Sequence, residues 1–348
     1  MSLQTPNKTS ALTRDRLIEL EQNNKTNAQK VMDIVVSLMP LICCAVALAE
    51  YIIIPNKYNN LNPQRYIYVL LTPAGAYLAA WVGSVAAYLK GNKKRFRRLR
   101  HLAPRYSAIF LLLTLIDYLT LKTGLLMYPF IPWVNDIINV AIQDKNELIK
   151  STLFTLRLLM LGYFSGVIAG LVTGIACGYS MKVRYWISPI IKVLGPIPTA
   201  TWIPLIMLLA SSLFGGSVFI VGLGTWFAVT VATMTGISNI ESEYFDAAKT
   251  LGANGRQLVL NVAIPHAMPS ILQGMTQGMS SACISLMIAE MMGVEAGLGW
   301  YITWAKAWAT YNKMFAAIIT ICVIFNAVTK ILDVIKKHVL RWQTGVVK

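Results

Sequence analysis

Charge is scarce in this chain. Only 13% of its 348 residues are charged and 56% are hydrophobic, whereas a soluble domain averages about 25% charged residues. That deficit excludes an ordinary soluble domain and points to a polytopic membrane protein. Cysteine is scarce too: Cys43, Cys44, Cys177, Cys283 and Cys322 all fall in apolar stretches. None stands at metal-ligand spacing from a histidine, and the neighbours Cys43 and Cys44 are poorly placed for a normal disulfide. All five are expected to be buried small hydrophobes. The histidines are only His101, His266 and His338, well apart from one another. There is no GxxxxGK[ST] phosphate loop, and no HExxH, CxxC or GxSxG pattern, so nucleotide hydrolysis by a P-loop and catalysis by this chain alone have no visible machinery. Neither an enzyme activity nor a cofactor or metal is expected in it. Acidic residues are outnumbered 31 to 15 by Lys and Arg. In a soluble protein such an excess would raise nucleic acid as a partner; beside apolar segments the positive-inside rule explains it, and no nucleic-acid partner is expected.

What is abundant is apolar sequence. A helix needs about 20 apolar residues to cross the hydrocarbon core, and eight stretches qualify: 31–54, 66–89, 105–127, 151–179, 190–213, 216–238, 267–290 and 311–335. The first 30 residues are polar, and the first apolar run begins too late and runs too long for a cleaved leader; within them "LTRDRLIELEQNN" has the spacing of a solvated helix. The loop at 90–104 opens the run "KGNKKRFRRLRHLAPR", with eight Lys or Arg and no acid, which marks a cytoplasmic side. Alternation then places both termini, the tail at 336–348 and the segment 240–265 on that side, and the acid-bearing loop 128–150 on the other.

Three segments stand out. In 151–179, Gly162, Gly166, Gly170, Gly174 and Gly178 recur at an unbroken four-residue spacing. On a helix they form one smooth ridge that another backbone can approach closely, within the subunit or between subunits. In 188–208, Pro189, Pro196, Pro198 and Pro204 interrupt a segment that otherwise reads as a span. Broken backbone at membrane depth survives where protein buries it or water lines it, so Pro198, Trp202 and Pro204 are pathway or gate candidates beside plain packing. In 289–311, Trp300, Trp304 and Trp308 suit one face of an interfacial helix. Glu290, an ionisable group at the end of a span, is either functional or a hydrogen-bonded structural carboxylate. Asp117 is the mid-membrane acid without an evident partner, and a carrier driven by ion gradients would call for paired groups there.

The segment "FDAAKTLGANGRQLVLNVAIP" reads as two short helices joined at Gly252, the first stopped by that glycine and the second checked by Pro265. Ala247 and Ala248 leave a small-side-chain surface with Asp246 beside it, a cytoplasmic knob for docking or simply an ordered loop. Asp246-Ala247-Ala248, then Gly252-Ala253, then Val262-Ala263-Ile264-Pro265 resembles the "EAA---G---------I-LP" motif of permease subunits in binding-protein-dependent ABC importers, with every spacing in agreement and Asp in place of the usual Glu. Further stretches, "STLFTLRLLMLGYFSGVIAGLVTGIACGYS", "PIPTATWIPL", "FGGSVFIV" and "AEMMGVEAGLGW", resemble the branch that handles nitrate, sulfonates such as taurine, bicarbonate and some thiamine precursors. Arg157 also matches a family position, while Gly195 stands where many relatives carry Arg.

The resemblance implies an all-α integral membrane protein: a type I permease core of six spans over 105–335, with two added N-terminal spans at 31–89. It implies ABC ATPase subunits docking on 240–265 and carrying the ATP and Mg, an extracytoplasmic solute-binding protein, a second and identical permease chain, and a place in the bacterial cytoplasmic membrane. A small anion is the solute this branch would favour.

Overall fold

The computed structural model describes residues 27–89 and 93–345, and within them every regular element is a helix. Seven helices are long and apolar enough to cross a membrane, or eight if one sharply bent pair is taken as a span. The expected helix in 11–23 lies outside the described residues. The chain divides into two compact units, Met1–Asn139 and Val140–Lys348.

The N-terminal unit is built on α1 (Asn27–Ile53), α2 (Gln64–Leu89) and α3 (Lys93–Asp117), the last running on into a π-helical stretch, Tyr118–Lys122. Two expectations are corrected here. The basic run was expected as a loop over 90–104, yet from Lys93 onward it is helical and forms the first turns of α3. Arg and Lys are good helix formers, and Arg100 closes on Asp33 of α1 at 2.8 Å. The boundary expected between residues 104 and 105 also moves: the span expected at 105–127 packs with α1 and α2, and the division falls after Asn139. Polar contacts knit the three helices, with the Tyr77 hydroxyl donating to the Ser37 carbonyl at 2.7 Å and Trp81 Nε1 to Ser37 Oγ at 3.0 Å. Val134–Gln143 forms a short helix, α4, across the boundary.

In the C-terminal unit α5 (Lys145–Tyr179) packs along α8 (Leu213–Ser238), and α8 packs along the 38-residue α10 (Gly255–Met292). Both α5 and α8 are apolar on all sides, so size rather than polarity marks the inward face. On α5 the five ridge glycines lie against α8. A Cβ at Gly162 would stand 2.6 Å from Val221 Cβ, one at Gly170 2.8 Å from Val229 Cβ, one at Gly174 2.6 Å from Thr233 Cβ and one at Gly178 2.7 Å from Ile237 Cβ, while one at Gly166 would overlap the Gly222 carbonyl. The facing stripe on α8, Val221-Thr225-Val229-Thr233-Ile237, has the same spacing. Leu161, Phe164, Ile168 and Val172 of α5 point outward.

The proline-rich segment is not one straight helix. Met181–Leu194 (α6) and Thr199–Leu209, a 3-10 turn followed by α7 (Ile203–Leu209), are bent by 89° across the break. The span expected at 190–213 is thus a bent pair: Pro196 and Pro198 remove backbone donors, Gly195 keeps helical φ and ψ, and the chain has left helical geometry at Pro198. The remaining elements are α9 (Ser242–Thr250), α11 (Leu298–Ala307) and α12 (Tyr311–Val339). Trp308 caps α11 and points outward, whereas Trp300 and Trp304 stack with ring centroids 6.3 Å apart. Cys322 is exposed, unlike the other four cysteines.

Candidate functional site: a docking knob joined to a cavity-lining helix

Residues 242–257 form the exposed knob. Helix α9 ends where Leu251 closes its last turn, and Gly252 takes φ +85°, a left-handed conformation that costs an L side chain about 1–2 kcal/mol. A capping box then restarts the helix: Asn254 Oδ1 accepts from the Gln257 N–H at 3.0 Å, and Gln257 Oε1 accepts from the Asn254 N–H at 2.8 Å. The second element is not a short helix stopped by Pro265, as expected from sequence. It opens as a π-helical stretch, Leu258–Ala263, and Pro265 enters the first turn of the α-helical part beyond it. The change of hydrogen-bond register there absorbs the donor that proline lacks. The last residues of the knob, Gly255–Gln257, are therefore the free end of α10.

Asp246 is exposed and pairs with Lys249 at 2.9 Å. Ala247 is exposed, Ala248 and Ala253 are half-buried, Pro265 is exposed, and no side chain lies within 4 Å of a Cβ built on Gly252. Sequence reading passed over Leu251, which is 89% exposed at the tip, and Tyr244, exposed beside His266. A bare leucine next to the chain-reversing glycine of a polar element was a legible signal of a docking surface.

Beyond the middle of α10, Ser281 contributes to a cavity of about 160 Å³ at the α6–α7 break. Pro198, Trp202, Gly195 and Thr199 supply one wall, and Leu223, Gly224, Trp226 and Phe227 of α8 supply another. No charged side chain lines it. Trp226 is fixed by donation from Nε1 to Thr173 Oγ1 at 3.0 Å. Leu194, Leu223 and Trp226 also border an open apolar recess of about 400 Å³ with Phe219 and Ser165. At Gly195 a Cβ would lie 2.6 Å from the Phe227 ring, so a larger residue there requires that ring to move.

The structure separates the remaining candidates from this cavity. Arg157 is exposed on α5, its guanidinium 5.4 Å from the Phe214 ring centroid. Pro204 is exposed in the first turn of α7. Glu290 is 1% exposed, and its Oε2 accepts from the Gly299 N–H at 2.8 Å and from Thr155 Oγ1 at 3.1 Å. Thr155 in turn accepts from the Leu298 N–H at 2.9 Å. Gly297, at φ +102°, and Gly299 leave room for this carboxylate, which a Cβ on either would crowd. Glu290 thus clasps the turn that launches α11.

The arrangement is a set of membrane-crossing helices around a small neutral cavity, with one cavity-lining helix extended into an exposed knob. Residues 166–343 match the model of the family described as binding-protein-dependent transport system inner membrane component, just over half of the chain, and the chain belongs to that family. It is similar to the taurine transport system permease protein TauC of Escherichia coli, 28% identical over 114 residues, covering 33% of this chain and 42% of that protein. It is also similar to a protein of Bacillus subtilis named for aliphatic sulfonates transport, 28% identical over 185 residues, covering 53% of this chain and 67% of that one. The chain spans about half the length of the curated relatives it matches. A chain of the MetNI methionine ABC transporter, solved in inward-facing conformations, shares the fold at TM-score 0.50 and 19% identity over 57% of this chain and 98% of that one. The protein is a multi-pass permease component of that family, similar to permeases named for taurine, sulfonate and nitrate transport.

Proposed function

We propose that this chain forms half of the translocation pathway of an ATP-driven importer. Two copies pair around the route, in the bacterial cytoplasmic membrane with both termini on the cytoplasmic side. Two ABC ATPase subunits, which carry the ATP and Mg, dock on residues 240–265, and an extracytoplasmic binding protein delivers the solute. The observation that carries this reading is the continuity of α10, which runs from the base of the exposed knob at Gly255–Gln257 to the cavity-lining Ser281. Movement imposed on the knob by ATPase closure passes through the turn at Gly252 and then along α10 to the cavity wall. Such a lever supplies the differential contacts that a two-state transporter needs.

The favoured solute is a small anion such as a sulfonate, nitrate or bicarbonate, because the named relatives carry taurine and sulfonates. A second reading, an uncharged flat heterocycle, is favoured by the cavity itself, where Trp202, Trp226 and Phe227 meet without any cation and Gly195 replaces the arginine of many relatives.

The test is mild-detergent purification of the tagged chain from its native membrane. A stoichiometric ATPase that is lost from the Gly252→Val and Asp246→Lys proteins supports the proposal. A chain recovered alone, under conditions that preserve a known ABC complex, sinks it. The accompanying binding protein, titrated with taurine, nitrate and a neutral pyrimidine, decides between the two solute classes.

A further inference from the structure

The N-terminal unit carries a buried polar cluster that coupling to an ATPase does not use. Three helix ends meet in it: Glu50 and Tyr51 at the end of α1, Tyr66 at the start of α2, and Asp117 and Lys122 at the end of α3. Asp117 is 0% and Tyr66 1% exposed. Both oxygens of Asp117, both carboxylate oxygens of Glu50 and the Tyr66 hydroxyl are buried without a hydrogen-bond partner. Asp117 lies within electrostatic range of Glu50 and Lys122, and Tyr66 within range of both carboxyls, Tyr51 and Cys44.

Lys122 does not satisfy these oxygens. Its Nζ donates to the carbonyls of Tyr51 and Ile54, at 2.8 and 2.7 Å, and to Asn56 Oδ1 at 2.8 Å. An ammonium has three hydrogens, and all three are engaged in holding the end of α1. Tyr51 is committed as well, accepting from Asn60 Nδ2 at 2.7 Å and donating to the Pro63 carbonyl at 3.3 Å. With both acids ionised the cluster would carry two negative charges against one positive, walled by Leu70, Phe110 and Leu121. Isolated buried charge is costly enough that a group gives up its charge instead, and two carboxylates sharing one site do so by keeping a proton between them.

We propose that Glu50 and Asp117 together bind one exchangeable proton. The protonated carboxyl donates its O–H to the oxygen of the other, and Lys122 balances the single negative charge that is left. A proton fits better than a metal ion, because among the described residues no group of three or more His, Cys, Asp or Glu side chains is placed to hold one. The site stands apart from the importer reading, since every residue in it belongs to the N-terminal unit.

Infrared spectroscopy of the full-length protein in lipid nanodiscs tests this through the C=O stretch of protonated carboxyl groups at neutral pH. Difference spectra of the native protein against Glu50→Gln and against Asp117→Asn should each show the loss of one carboxyl, because a single acid left beside Lys122 is balanced and ionised. Any contribution from Glu290 is common to all three proteins and cancels. Lys122→Met should add a second protonated carboxyl. Loss in only one of the two amide variants would mean a lone protonated acid, and loss in neither would mean two ionised carboxylates; either result overturns the shared proton. Should those variants fail to fold, the Glu290→Gln protein, with the cluster intact, must still show one protonated carboxyl at neutral pH. Its disappearance on adding sodium chloride at constant pH would assign the site to a metal cation and refute the proposal.

Discussion

The C-terminal unit buries Glu290 with one oxygen hydrogen-bonded to Thr155 and the Gly299 amide and the other unpartnered, whereas the N-terminal unit buries Asp117 as deeply with neither oxygen partnered. Their glycines differ in the same sense. In α2, Cβ atoms built on Gly75 and Gly83 meet nothing within 4 Å, while all five ridge glycines of α5 would collide with α8. The C-terminal unit is thus a closely fitted helix bundle whose polar group serves as a clasp. The N-terminal unit is looser in its small residues and holds ionisable groups that packing alone does not explain. Close fit suits helices that must move as rigid bodies; unpartnered charge suits a site that exchanges something with its surroundings.

The largest expected effect comes from breaking that fit. Gly166→Val must force α5 and α8 apart at the Gly222 carbonyl, and overpacking of this kind costs about 1–3 kcal/mol or more. Gly75→Val, with open space around it, should leave the thermal unfolding of the detergent-solubilised protein close to native. Equal loss from both substitutions would erase the contrast between the units. Next comes Glu290→Ala, which leaves the Gly299 amide and the Thr155 hydroxyl buried without their acceptor, at about 1–3 kcal/mol. Faster proteolysis in 293–299 is the readout. Glu290→Gln keeps an acceptor oxygen in place and should behave as native.

How much of this could be read in the sequence differs with the kind of signal. Seven of the eight apolar runs became long helices because twenty apolar residues have few other uses, and the α5 ridge was visible because a period of four is conspicuous. The bend at 195–198 was announced by its prolines, though not its sharpness. Pro265 misled: proline is read as a helix end, but the π-helical stretch before it lets α10 continue. The basic run misled in the opposite way, since charge density suggested a loop and propensity gave a helix. Lys122 and Glu50 escaped notice because each looks like an ordinary residue at a span end. Only tertiary packing brings Glu50 to Asp117, across 67 residues of chain. Local pattern therefore located the exposed knob, while the proton site had no local pattern to find.

A smaller effect sharpens the comparison at the surface of the C-terminal unit. Asp144, just before α5, accepts from Lys313 Nζ at 2.6 Å and from the Tyr301 hydroxyl at 2.8 Å, and so ties α5 to α11 and α12. Burial works to raise its carboxyl, but the hydrogen bonds from Lys313 and Tyr301 and the charge of Lys313 outweigh that and hold it below its ordinary 3.8. A depressed carboxylate contributes stability that is fully present above its unfolded pKa and is lost as pH falls through the folded one. The native protein should therefore exceed Asp144→Asn in unfolding midpoint by a constant amount at neutral and mildly acidic pH, equivalent to about 1 kcal/mol or less for a partly exposed pair. That advantage should shrink only once pH drops below the ordinary carboxylate value. An advantage that fades instead near neutrality would show that Asp144 titrates without help from Lys313, and would add a second ill-satisfied acid to the C-terminal unit.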